Sequence, residues 1–219
     1  MLKTSKTKQK PKVEEHLQDT DIDFILNAAN KGDVESQYFI ACVYANGEIL
    51  EANDEKAAHY FKLAADNGCV PAMSQYALLC EKGIGCPKNF ELAEKYYKEA
   101  VSNNYPTALN NYAVFLTDYK NDAQGAVALF KKAVMLGIEE SYYNYATMLE
   151  SGNGVAQNYE EAAKYYKKSA DSGRPTGQFA YGRLLIKGLG VPKNQEEGCR
   201  YCKMSAEQND PLGQWYYGK

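Results

Sequence analysis

Small and large apolar residues alternate along the chain in a pattern that keeps returning. Each copy has a small residue, two large ones three and four positions later, and another small one at the seventh position, which is the spacing of one helix face. The first small residues lie 36, 33, 36 and 36 residues apart, at Ala57, Ala93, Ala126, Ala162 and Gly198. So constant a period predicts a repeat architecture, in which stacked units share one continuous core.

A second helical pattern recurs before each of these segments and once after the last. A small residue is followed four positions later by a large one, and another small one comes directly after that. The first small residues are Ser36, Ala72, Ala108, Ser141, Gly177 and Gly213. We call this helix A and the one that follows it helix B. Alternating large and small side chains allow the two helices to interdigitate at close range.

The loops between helices A and B carry helix stop and start signals. Glycine ends four of the A helices, because it adopts a left-handed backbone easily, at Gly47, Gly83, Gly152 and Gly188. Asn or Asp, both strong N-cap residues, precedes each B helix, at Asn53, Asn89, Asp122, Asn158 and Asn194. The third loop, TDYKND at 117–122, is shorter and has Tyr119 in place of the first glycine. We expect a tighter turn there.

The two ends of the pattern are half-repeats. From Asp21 the chain reads as a lone B helix, with an apolar face formed by Ile22, Phe24, Ile25, Ala28 and Ala29. The segment NDPLGQWYYGK at the other end supplies an A helix. The sequence therefore predicts an all-α solenoid over residues 21–219, with about five full hairpins and a half-repeat at each end. Residues 1–20 are predicted to be a flexible basic tail.

The repeats resemble a known family. The spacing of the small, aromatic and loop glycine positions is similar to the Sel-one-like repeat (SLR), a relative of the tetratricopeptide repeat, and residues 141–170 and 177–206 fit it best. The resemblance implies a right-handed α-solenoid of antiparallel helix hairpins and a protein-binding scaffold or adaptor. It also implies an alternative, since one cysteine-rich group of the family is associated with binding or hydrolysing β-lactams.

Charge and composition narrow the function classes. Residues 1–12 contain five Lys and no acid, so the rest of the chain has 20 basic and 28 acidic side chains, a balance that disfavours nucleic acid as a partner. No run of 18 apolar residues indicates a membrane span, and no secretory signal is recognisable, so we expect a cytoplasmic protein with six reduced cysteines. The Lys-rich tail leaves open a second alternative, an adaptor at a membrane surface.

The candidate binding residues lie on helix A, which the resemblance places on the concave side. Two residues after each first small residue stand Tyr38, Ser74, Asn110, Tyr143, Phe179 and Trp215, and neighbouring inner positions add Asn46, Glu150, Arg183 and Lys187. Tyr, Trp and Arg often carry interface energy, so a partner protein or peptide could lie along them. The alternative, equally weighted, is that the aromatic residues pack between adjacent A helices.

Catalytic and metal chemistry has little support in the sequence. Cys199 and Cys202 form a C-x-x-C on a predicted helix, but Cys202 occupies a core position of the repeat, and no further ligands stand at a metal-binding spacing. A Ser or Cys nucleophile would need His16 or His59, the two histidines of the chain. We therefore predict a non-enzymatic protein with no cofactor, no metal and no small-molecule substrate.

Overall fold

The computed structural model of the protein describes residues 19–217, and these form twelve α-helices and one π-helical segment. The A helices are α2 (Val34–Asn46), α4 (Val70–Lys82), α6 (Pro106–Phe115), α8 (Glu140–Ser151), α10 (Pro175–Lys187) and α12 (Pro211–Tyr217). The B helices are α1 (Asp19–Asn30), α3 (Asp54–Asp66), α5 (Phe90–Ser102), α7 (Ala123–Met135), α9 (Tyr159–Asp171) and α11 (Gln195–Glu207). None of the described helices is long and apolar enough to cross a membrane.

The helices stack in chain order. Each one packs chiefly against its neighbours in sequence, so an A helix contacts its own B helix and the B helix before it. Five full hairpins, α2–α3 to α10–α11, stand between the lone helices α1 and α12. The prediction of an all-α solenoid with about five repeats is confirmed.

Tyrosines and small residues form the core along the stack. Ala93 and Ala100 of α5 are fully buried, which lets adjacent helices approach closely. Between them, the Tyr96 ring meets Tyr76 of its own hairpin edge to face, with centroids 5.2 Å apart. The next ring, Tyr97, stacks at 5.8 Å on Tyr112 of the following repeat. Paired aromatics therefore join one hairpin internally and to the next, because consecutive side chains diverge by about 100° around a helix.

The loops place the repeats on one another. At the five B helices from α3 to α11, the predicted Asn or Asp accepts a hydrogen bond from a backbone N–H of the first turn. The Lys56 N–H, for example, donates to Asn53 Oδ1 at 2.9 Å. The second loop glycine has a further function, because Gly85 lies directly on the first turn of α3. A Cβ at this position would stand 1.9 Å from the Asp54 carbonyl oxygen, so only glycine allows this contact between repeats.

The third loop differs from the prediction of a tighter turn, which was wrong. After α6 the chain continues as a π-helical segment, Leu116–Lys120, and ends at Asn121 in a left-handed conformation with φ 52°. Because Tyr119 replaces the first glycine, the helix does not stop there and widens by one π turn. The Tyr119 ring instead lies 4.5 Å from Phe90 of α5, so an aromatic contact takes the position of the glycine contact.

The first helix departs from the predicted apolar face at one residue. Ile22 and Ala29 are buried as expected, but Phe24 is 75% exposed. Its register is that of Tyr60, whose ring stacks on Tyr44 of the A helix before it, and no A helix precedes α1 in the part of the chain that the structure describes. Helix α1 begins at Asp19, and the rest of the predicted basic tail lies outside the described residues.

Candidate functional site

The candidate surface consists of the side chains that stand two residues after the first small residue of each A helix, and we call these positions the A-helix stripe. Five of its six members remain accessible to solvent. Tyr38, Asn110, Tyr143 and Phe179 are partly buried and Trp215 is 60% exposed. Ser74, at 2% exposure, is buried within the second repeat and offers almost no surface.

The partly buried aromatics of the stripe pack through one side of the ring. The Tyr38 ring lies edge-on to Phe61 at 5.9 Å, and the Tyr143 ring lies 5.6 Å from Tyr166, in each case on the B helix of the same hairpin. Burial raises the pKa of Tyr38 to about 12. Phe179 instead contacts Tyr216 of the next A helix, with ring centroids 5.9 Å apart. This contact is of the kind that the alternative interpretation expected, an aromatic residue packed between adjacent A helices.

Asn110 ties two repeats together through its amide. Its Oδ1 atom accepts hydrogen bonds from the Ser141 hydroxyl and from the Asn144 amide, both at 3.1 Å. Because both donors belong to α8, this polar contact connects consecutive A helices, α6 and α8. Such a fixed amide presents its remaining donors in a defined direction.

Two of the predicted inner residues, Glu150 and Arg183, meet across the fourth and fifth repeats. The Arg183 Nη2 atom lies 2.6 Å from each carboxylate oxygen of Glu150, and the Tyr166 hydroxyl donates to Glu150 Oε2 at 2.9 Å. Burial opposes the charge of Arg183, but the hydrogen bond and the charge of Glu150 outweigh it and raise the pKa of the guanidinium. The sequence alone did not predict that these two side chains pair.

The other two inner residues stand apart from each other. Asn46 is exposed at the end of α2, and Lys187 is exposed at the end of α10. Lys187 follows Arg183 by one helical turn, so the fifth repeat presents two basic side chains on one face of α10.

A second acidic site of the same design, around Glu81, was missed from the sequence. Glu81 stands two residues before the first loop glycine, as Glu150 does, and accepts a hydrogen bond from the Tyr97 hydroxyl at 2.9 Å. It is only 6% exposed, and burial raises the pKa of its carboxyl although the Tyr97 hydrogen bond opposes this. Alignment of the repeats would have revealed Glu81 as a second acid at this position, because the first and fifth repeats have Ala45 and Ile186 there.

The residues considered for catalysis and metal binding do not converge in the described part of the chain. No group of three or more His, Cys, Asp and Glu side chains there could hold a metal ion. Cys202 is 1% exposed in the core, where burial raises the pKa of its thiol to about 11, while Cys199 is exposed to solvent. His59 is exposed on α3 beside the Tyr60 ring. The arrangement on the A helices is suited to binding through rings, amides and charges.

Comparison with known proteins gives one family. The model described as Sel1 repeat matches five consecutive segments, residues 34–69, 70–105, 106–138, 139–173 and 175–210. No curated protein sequence matches the chain significantly.

Solved structures share the architecture. A protective antigen of uropathogenic Escherichia coli with an SLR fold is 24% identical, with a TM-score of 0.80 over 90% of this chain and 43% of its own. A Sel1 repeat protein from Oxalobacter formigenes is 26% identical, with a TM-score of 0.71 over 91% of this chain and 59% of its own. One from Klebsiella pneumoniae is 18% identical, with a TM-score of 0.58 over 90% of this chain and 97% of its own. This chain thus spans less than two thirds of the first two proteins.

Proposed function

The chain belongs to the Sel1 repeat family, and we propose that it is a non-enzymatic scaffold that binds a segment of a partner protein along the A-helix stripe, on the concave side of the solenoid. Sel1 repeat proteins generally act in protein–protein interaction. The choice of surface belongs to the proposal, and one observation carries it. Five of the six stripe side chains remain accessible to solvent, and three of these five are aromatic residues of interior repeats. Most of the other aromatic residues that recur in the repeats are buried.

The mechanism is presentation of a fixed array of side chains. Tyr38 and Tyr143 are each braced on one side by a ring of their own B helix. A ring that is already held loses little rotamer freedom when a partner covers its other side, which lowers the entropic cost of binding. The stripe also varies from repeat to repeat, with Ser74 and Asn110 where other repeats have an aromatic residue, so it can encode specificity without changing the fold.

The proposal can be tested by comparing two faces of the same protein as bait. One variant replaces the exposed Trp215 and Lys187 by Ala, and the matched control replaces exposed residues of B helices, Lys164 and Lys203, by Ala. Each bait is checked by circular dichroism and thermal melting before use. Proteins captured from native lysate are then quantified by mass spectrometry.

We expect that wild type and the B-helix variant capture the partner in equal amounts and that the A-helix variant captures at least tenfold less. Exposed aromatic residues often contribute much of the binding energy of an interface. A partner lost only with the B-helix variant would overturn the choice of surface. If no protein is enriched over an empty resin by any of the three baits, the scaffold function itself is wrong.

The alternatives lack a comparable observation. An enzyme would require an activated nucleophile. Among the described residues, His59 and Cys86 line one pocket, and the Cys86 sulfur lies 3.9 Å from that of Cys80, but burial raises the pKa of the Cys80 thiol to about 11, which keeps it protonated and unreactive. The membrane-surface adaptor depends on residues 1–12, which lie outside the described residues. We propose a cytoplasmic location for the scaffold.

A further inference from the structure

Two glutamates occupy one register of helix A, and only one of them has a basic partner. Glu150 is paired with Arg183, whereas no ion pair involves Glu81 among the residues that the structure describes. Both carboxylates accept a hydrogen bond of 2.9 Å from the tyrosine at the same position of the following B helix, Tyr166 or Tyr97. The two sites therefore have the same tyrosine hydrogen bond and differ in the ion pair.

The difference arises one repeat further on. The residue 33 positions after Glu150 is Arg183, and the residue 33 positions after Glu81 is Val114. Four positions later the contrast continues, because Lys187 stands on α10 where Asp118 stands after α6. At the two matching positions, the chain thus has an apolar side chain and an acid in place of two cations.

The charges of Lys82 and Lys88 act on the Glu81 carboxyl and oppose the rise of its pKa, but neither lysine forms an ion pair with it among the described residues. Lys88 lies over the ring of Phe90, 4.8 Å from its centroid, and Lys120 forms a 2.6 Å ion pair with Glu94. Lys82 is exposed at the end of α4. A carboxylate that is only 6% exposed, with a tyrosine hydroxyl as its hydrogen-bond donor, pays a desolvation cost that a cation would offset.

We propose that Glu81 receives an arginine side chain of the bound partner segment, in the arrangement that Arg183 makes with Glu150. The inference rests on the proposed function and adds the chemistry of the partner, a basic residue entering between α4 and α6. Arginine is chosen because Arg183 fills the matching site, where its Nη2 atom lies 2.6 Å from both oxygens of Glu150, and because a guanidinium is more weakly hydrated than an ammonium and is therefore suited to a buried ion pair. The excess of 28 acidic over 20 basic side chains beyond residue 12 attracts such a segment.

A small probe tests the site without knowledge of the partner. N-acetyl-arginine amide is titrated into the isotopically labelled protein, and chemical shifts are followed by NMR. N-acetyl-citrulline amide, which has the same shape and no charge, is the control probe. We expect saturable shifts around Glu81 and Tyr97 with a dissociation constant on the order of millimolar, as befits a single ion pair, and at least fivefold weaker binding of citrulline. Equal shifts with both probes would overturn the proposal.

Four variants sharpen the result. Glu81→Gln should abolish the saturable binding, and Glu150→Gln should leave it unchanged, because Glu150 is already occupied. Arg183→Ala should create a second saturable site around Glu150. Val114→Arg should pair with Glu81 within the chain and so prevent the probe from binding there. The control, Leu78→Arg, introduces the same charge one repeat earlier, where Ala45 stands in place of the glutamate, and should leave binding at Glu81 unchanged. Unchanged binding in both Glu81→Gln and Val114→Arg would contradict the assignment.

The variants also separate this inference from the proposed function. Once a partner has been captured, Val114→Arg is used as bait beside the A-helix variant. We expect it to reduce capture at least tenfold, with Leu78→Arg close to wild type. If Val114→Arg captures fully while the A-helix variant does not, the arginine site is wrong and the scaffold function stands. If neither variant loses the partner, the choice of surface is wrong.

Discussion

The second and fourth repeats contain one polar site in two electrostatic settings. Glu81 and Glu150 share a helix register and a tyrosine donor, and the two hydrogen bonds have the same length of 2.9 Å. Only the neighbouring repeat differs, since Arg183 faces Glu150 and Val114 stands at the matching position near Glu81. The glutamate of the fourth repeat is paired with an arginine of the fifth, while the buried glutamate of the second repeat has no ion pair among the described residues.

This comparison shows how a solenoid can change its surface without changing its core. The positions that differ lie on the A helices, and the small residues one turn before the two glutamates, Ala77 and Ala146, stay fully buried in both repeats. Because each repeat contacts only its neighbours, a charge can be placed or omitted locally with little effect elsewhere. The following predictions probe this difference.

The largest effect is expected where the tyrosine of each site is truncated. Tyr97→Ala removes a fully buried ring that contacts Tyr112 and Phe115 of the next repeat, and it should lower the free energy of unfolding by about 3–5 kcal/mol. Tyr166→Ala should cost somewhat less, because its ring contact is with Tyr143 of the same hairpin. Urea denaturation followed by circular dichroism measures both, and a loss below about 1 kcal/mol for Tyr97→Ala contradicts its place in the core.

Removing the cation that faces Glu150 should make this site resemble the one at Glu81. Arg183→Ala leaves Glu150 half-buried without its partner and should cost about 1–3 kcal/mol. The control, Arg174→Ala, breaks the exposed pair with Glu140 and should change stability by less than about 1 kcal/mol. Equal effects of the two substitutions in urea denaturation would show that the Glu150–Arg183 pair contributes no more than a surface pair.

Neutralising the two glutamates should have effects of opposite sign at pH 7. Burial raises the pKa of Glu81 above its ordinary value of 4.5, so its neutral form stabilises the fold at low pH, and that stability is lost as the pH rises through the raised pKa. Glu81→Gln should therefore stabilise the protein by about 1 kcal/mol at pH 7 and by nothing at pH 4. Glu150→Gln should destabilise it at pH 7. Thermal melting across this range measures both, and a Glu81→Gln gain that does not depend on pH would contradict the electrostatic explanation.

The smallest effect is expected for Asp118, which has the same position in its repeat as Lys187 has in the fifth. The charge of Asp118 contributes to raising the pKa of Glu81. Asp118→Asn should lower that pKa slightly, as seen in an NMR titration, and stabilise the fold by a few tenths of a kcal/mol at pH 7, because Asp118 is exposed and screened. The matched change Ser151→Asn, at the same register of the fourth repeat, should leave the pKa of Glu81 unchanged.

Most of the architecture could be predicted because it depends on local patterns that recur. The N-caps, the left-handed glycines and the alternation of Ala93 with Tyr96 and Tyr97 each act within one hairpin, so one copy predicts the next. The predictions were wrong at a helix without a preceding neighbour among the described residues and at a loop that lacks the glycines of the other repeats. Phe24 was predicted on the apolar face but is 75% exposed, since no A helix precedes α1 among the described residues, and the loop at Tyr119 widens into a π turn.

By itself, the sequence determined the repeat, its helices and its core, because helical periodicity and a constant unit length are written in residue spacing. Tertiary structure alone decided which polar side chains meet. Glu150 and Arg183 are 33 residues apart, and their pairing depends on how one repeat lies against the next. For Glu81 the same register holds Val114, so its carboxylate keeps the Tyr97 hydrogen bond but has no ion pair among the described residues, and only the arrangement in space reveals this.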